Sequence, residues 1–190
     1  MGIGKLSKTK AKRVIGIDAS TNSLAFAIFE NEKPVRCGEV VFTGATLFER
    51  LKDAKNKTRA LVNAGVLRGD YVVIESAWMG NNPQTGLDLA YVYGAIIAEL
   101  MEMNPEVHKV SPISWQTGIG NPNLKQPEKD QIQKDNPGKS QSWYKEKGRK
   151  TRKARTMKIA REYFNIPSDS DNVGDAIGIA LFTSKTLTRR

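Results

Sequence analysis

Residues 13–30, RVIGIDASTNSLAFAIFE, form two apolar runs of strand length around a short polar turn at 20–22, and KPVRCGEVVFT continues with alternating faces. This pattern predicts three consecutive antiparallel strands. Residues 45–64 space Leu47, Leu51, Ala54, Leu61 and Val62 along one helical face before Gly65, which predicts a crossover helix. DYVVIES at 70–76 reads as a short β-branched strand, and GLDLAYVYGAIIAELMEM at 86–103 as a mostly apolar helix ended by Asn104 and Pro105. EVHKVSP reads as another strand. A helix from Lys150 places Ala154, Met157, Ala160 and Tyr163 or Phe164 on one face, and a last helix runs from about Asp171 to Thr186. The order predicts an α/β fold with a mixed sheet, three antiparallel strands followed by parallel ones, flanked by helices.

Residues 118–148 break this pattern, with three Pro, four Gly, many Gln and Lys and almost no aliphatic residues. They read as a flexible basic insertion over about 119–148. The 190 residues otherwise suit one domain with a basic tail at 1–12. No stretch approaches the length of a membrane span and residues 1–13 lack the apolar core of a secretory signal, so the expectation is a soluble, intracellular protein with no membrane partner. Cys37 is the only cysteine, which excludes an internal disulfide and cysteine-rich zinc sites.

Charge adds a partner class. The net charge is +10, which favours a polyanion. Residues 125–161 hold nine Lys and four Arg against four acids, so nearly all of that excess lies in one segment. Lys150, Arg152, Lys153 and Arg155 are candidate nucleic-acid contacts.

Against that basic background the acids stand out. Asp18 ends the first strand and Glu75 ends YVVIE, each a single carboxylate closing an apolar run. Asp18 alone reads equally as a turn acid, since DASTNS has the composition of a capped turn. The two strand ends together are harder to assign to turns, because strands joined by a right-handed crossover can lie side by side. Asp171 and Asp175 stand one helical turn apart in SDSDNVGDAIGIALF, a repulsive spacing unless a cation lies beside it. Asp171 also fits an N-cap, whereas Asp175 leads directly into an apolar helix face. Four carboxylates without thiolates suit hard cations, Mg2+ with Mn2+ as a substitute. Two such ions per site would place Asp18 between them in a two-metal phosphodiester hydrolysis.

IGIDASTNSLAFAIF, VVIESAWMGNNPQTGLDLAYVYGAIIAE, HKVSPISWQTGIG and DNVGDAIGIALF resemble the ordered blocks of the RuvC-type Holliday-junction resolvases of the ribonuclease-H-like superfamily. The resemblance spans about 13–118 and 149–184. It implies metal ligands at Asp18, Glu75 and Asp175, with Asp171, or the position of Asn172, as the fourth. It further implies a catalytic lysine at or near Lys153, and an aromatic side chain, Trp78, reaching toward the branch point. The activity it implies is a magnesium-dependent endodeoxyribonuclease that resolves four-way or other branched DNA by paired nicks. That makes a homodimer the expected state, with the helix at 86–103 as its interface. The implied setting is the cytoplasm or nucleoid, or the infected host cell for a viral source.

Two other classes stay open at this level. One is a related nuclease acting on RNA or other branched DNA, and the other is a non-catalytic nucleic-acid-binding module of the same fold. The four acids argue against the second.

Overall fold

A computed structural model describes residues 13–77, 82–164 and 170–188. Trp78, expected at the branch point, lies outside the described residues. Strands β1 (Arg13–Ala19), β2 (Ser23–Glu30) and β3 (Lys33–Val41) form an antiparallel meander, and β4 (Tyr71–Glu75) and β5 (Val107–Val110) add in parallel on the other side of β1. The sheet order is β3-β2-β1-β4-β5. The mixed sheet expected from the sequence is therefore present, with the crossover α1 (Leu47–Asn63) returning the chain from the β3 edge to β4. A capping box between Thr46 and Glu49 starts α1.

Period-two alternation sorts the sheet into two cores. Ile15, Ile17, Leu24, Phe26, Ile28, Val72 and Ile74 face α1 and α2 (Pro83–Met101). Ala25, Ala27, Phe29 and Val73 face α6 (Asp171–Thr188), with Trp115 of α3 (Pro112–Gly118) and Ala160 of α5 (Gln141–Arg161) in the same cluster. Contact on the second face is close. A Cβ on Gly16 would lie 2.4 Å from the Ala176 carbonyl oxygen, so β1 and α6 meet backbone to backbone. Gly178 similarly admits the Trp115 ring, whose Cζ3 would be 2.5 Å from a Cβ there.

The expected loop at 119–148 requires correction. It contains α4 (Gln126–Asp135) and the first turns of α5, which begins at Gln141 rather than Lys150. Composition concealed these helices because both are polar on nearly every side. Their starts are nonetheless encoded by Pro127 in the first turn of α4, with Glu128 bonded back to the Lys125 N–H, and by the Ser140 cap on Trp143 N. Ala154, expected on the inner face of α5, is exposed, while Thr156, Met157 and Ala160 are buried. Among the described residues no helix is long and apolar enough to cross a membrane.

Candidate active site

Register builds the site. Asp18 pairs with Ala25, and Ala25 with Glu39 on β3. In the parallel direction Ile17 pairs with Ile74, so Asp18 and Glu75 follow as the next residues in step. One transverse row of the sheet therefore reads Glu39, Ala25, Asp18, Glu75, and it lies at the N-terminal end of α6. Asp175 sits one turn into α6, after Asp171 at its first position.

Two alternatives suggested by sequence are decided by hydrogen bonds. Ser20 Oγ, not Asp18, accepts from the Asn22 and Ser23 amides and holds the turn after β1. Ser170 Oγ accepts from Val173 N, so Ser170 rather than Asp171 caps α6. Among the described residues neither the Asp18 nor the Asp175 carboxylate accepts a hydrogen bond.

The electrostatic consequence is large. Burial pushes the Asp18 carboxyl up to about 8, reinforced by Glu75 and Asp175 and opposed by Lys153. Burial likewise raises Asp175 to about 7, with Glu75 adding to the effect. Glu75 is raised by burial too, although the Trp115 indole, Lys153 and Arg152 act the other way. Lys153, the cation that acts on Asp18, Glu75 and Asp175 alike, has its Nζ 3.0 Å from Asp171 Oδ2.

Sequence reasoning missed two contributors. Glu39 works against its own burial and is held below the usual carboxylate range by hydrogen bonds from Ser170, Asn172 and Ser23. Ser170 Oγ donates at 2.6 Å and Asn172 Nδ2 at 2.7 Å, tying the start of α6 to β3. Asn172 is thus engaged with Glu39, and Asp171 is the residue turned toward Lys153. The signal for Glu39 was its place as the one acid in the alternating run RCGEVV. Trp115 was the second, a wholly buried ring whose Nε1 donates to Glu75 Oε2 at 2.6 Å. No local pattern pairs residues 40 positions apart.

The basic candidates do not share one face. Lys150 and Lys153 flank the groove beside Asp171, whereas Arg155 is ion-paired with Glu128 of α4. Arg152 lies between α4 and α5 and still acts electrostatically on Glu75 and Asp175.

The donor set fits hard divalent cations. All the donors are carboxylate oxygens, and two of the carboxylates, on the half-buried Asp18 and Asp175, accept no hydrogen bond among the described residues, a charge that a cation would offset. Among the described residues no three ligating side chains are drawn into one coordination sphere. Asp171 is instead directed to Lys153.

The model of the crossover junction endodeoxyribonuclease RuvC family matches residues 14–134. The chain belongs to the RuvC family. The matched span carries Asp18, Glu39, Glu75 and Trp115, and α5 and α6 bring Lys153, Asp171 and Asp175 to the same edge. Two solved structures of Thermus thermophilus RuvC, one in complex with a Holliday junction substrate, share the fold at 13% identity. Their TM-scores are 0.61 and 0.62, with 94% and 93% of this chain and 94% and 96% of those chains covered. No curated protein sequence matches the chain.

Proposed function

We propose that this RuvC-family chain is a metal-dependent endonuclease that resolves four-way or similarly branched DNA by paired nicks. The observation that carries the reading is the row Asp18, Glu75 beside Asp175: three neighbouring carboxylates at the end of the sheet, all raised by burial, with Glu75 raising the other two further. Asp18, Glu75, Asp175 and Asp171 would hold two Mg2+ ions, with Mn2+ as a substitute. When bound, the ions supply an activated water and charge neutralisation at the scissile phosphate.

The remaining roles fall to the protein. Asp18 and Glu75 keep their place because sheet pairing fixes their backbones. Trp115 orients Glu75. Lys153 exchanges its Asp171 partner for the phosphate as DNA enters. Lys150 beside it follows the backbone of the cleaved strand, and Arg152 adds positive potential from behind the carboxylates. Trp78 on the β4–α2 connection would meet the branch point.

Paired nicks need two sites facing opposite strands, which a two-fold dimer provides. Helix α2 leaves Leu87 and Tyr91 exposed by 47% and 53%, and Met101 by 64%. With Gly94 and Ala98 they follow a spacing of four, three, four and three residues, the seam of a helix pair. We assign this stripe to the dimer contact.

The test is cleavage in Mg2+ of a synthetic four-way junction against duplex, flap, fork and RNA–DNA hybrid of matched sequence. Preferential, paired cutting of the junction is expected. Equal cutting of every substrate would overturn the junction assignment, and preferential cutting of the hybrid would make the chain an RNA-directed nuclease.

A further inference from the structure

Helix α4, the first half of α5 and the segment before α4 line a half-open cavity of about 470 Å³ that none of the site carboxylates borders. Its size lies within the range of about 300 to 1,000 Å³ typical of small-ligand pockets. Four cations border it, Lys129, Lys145, Arg149 and Arg152, and no acid does. Arg149 is paired with Glu146. Among the described residues Lys129 and Lys145 have no ion pair, and Arg152 keeps a buried Nε without a hydrogen-bond partner.

The floor is of a different character. Leu124 and Ile132 supply apolar surface, and Gly148 packs closely on Leu124, whose Cδ1 would be 3.3 Å from a Cβ at that position. Tyr144 forms a fixed wall. Its hydroxyl donates to the Asn136 carbonyl at 2.6 Å and accepts from Lys139 N at 3.3 Å, so its ring is clamped at the cavity edge.

A bare phosphate has no use for the apolar floor, and an apolar peptide has none for four cations. A nucleotide has both a flat apolar ring and an anionic group, and aromatic walls stack on any base. Position narrows the choice further. Arg152 borders this cavity and also acts electrostatically on Glu75 and Asp175, so an occupant there is a neighbour of DNA lying at the carboxylates. Unpaired bases are the ones that leave a stack at least cost.

We infer that the α4–α5 cavity receives the base of an unpaired nucleotide, with its phosphate held by Lys129, Lys145 and Arg152. The inference rests on the nuclease reading for the source of that nucleotide, while the binding chemistry stands on the cavity alone. The test therefore uses deoxyadenosine monophosphate rather than a junction. Methyl NMR of the full chain is recorded with millimolar deoxyadenosine monophosphate, deoxyribose 5-phosphate or inorganic phosphate, with Ile28 of the opposite core as the internal control. The nucleotide should shift the Leu124 and Ile132 methyl signals and leave Ile28 in place, and the two base-free phosphates should not reproduce those shifts. Gly148→Leu, which fills the cavity, should abolish the shifts, and Ile132→Trp, read at Leu124, is the second filling variant should the first not fold. Equal shifts from all three ligands would reduce the cavity to an anion site and overturn the proposal, as would shifts that survive filling or no shift at all. A chain that binds the nucleotide but cuts no junction would contradict the proposed function and leave this inference standing. One that cuts junctions without binding the nucleotide would do the reverse.

Discussion

Trp115 Nε1 donates to Glu75 Oε2 over 2.6 Å, from a ring with no exposed surface. The ring is locked on α3, whose start is capped by Ser111, and against Gly178 of α6, so the hydrogen bond joins three elements at one carboxylate oxygen. Outer partners of metal-binding groups typically change metal affinity or activity by about 10- to 100-fold when removed. Trp115→Phe keeps an aromatic ring in the site and removes the donor. We expect a fall of that size in single-turnover cleavage and a higher Mg2+ requirement, with junction affinity retained. A variant that loses only thermal stability, with an unchanged Mg2+ titration, would make Trp115 a packing residue.

The acidic row also sets the pH dependence of stability. Asp18 and Asp175 are pushed up to about 8 and about 7 in the folded chain, from an ordinary aspartate value of 3.8. Between those limits the folded state holds protons that the unfolded state has released, so stability falls as pH rises. Without metal, the thermal midpoint should decline from about pH 5 to about pH 8, and Asp18→Asn should flatten that decline and raise the midpoint at the alkaline end. Added Mg2+ should release protons and recover stability most at high pH. A midpoint in chelator that is level or rises over this range would contradict the buried-acid description.

Lys153 and Asp171 form a half-exposed ion pair, their side chains 29% and 46% accessible. Such pairs contribute about 0 to 1 kcal/mol to stability. Lys153→Gln should therefore leave the thermal midpoint nearly unchanged while lowering the cleavage rate by about 100-fold or more, as the proposed action of its charge on the transition state requires. Equal losses in stability and rate would point to a structural role.

The α2 stripe predicts a mutable contact. Leu87→Glu with Tyr91→Glu adds charge to positions already facing solvent in one protomer, so the monomer should stay folded. Sedimentation should show dissociation, and junction cutting should shift from paired to single nicks. A wild-type chain that is monomeric both free and on junction DNA would remove the dimer from the account.

What the sequence revealed follows from range. The sheet was legible because strand-length apolar and alternating runs and the turn at 20–22 are local signals, and Asp18 and Glu75 stood out as single charges closing apolar runs. Glu39 did not, because its place beside Asp18 depends on β2 lying between them with Ala25 in register. Trp115 was hidden by the same distance in sequence. Helix α4 and the start of α5 were obscured for another reason. They bury too few residues to show a periodic face, and only their caps mark them.

The central claim is that Asp18 serves the reaction and not the fold. Asp18→Asn preserves shape and removes the charge, and the turn beside it is already held by Ser20. The decisive measurement is the single-turnover cleavage rate of a four-way junction in saturating Mg2+ for wild type and Asp18→Asn, with binding of the same junction followed in parallel. The account predicts a fall of about 1,000-fold or more with affinity kept or increased, since the lost charge repels phosphate. Cleavage by Asp18→Asn at a rate near that of wild type would contradict it.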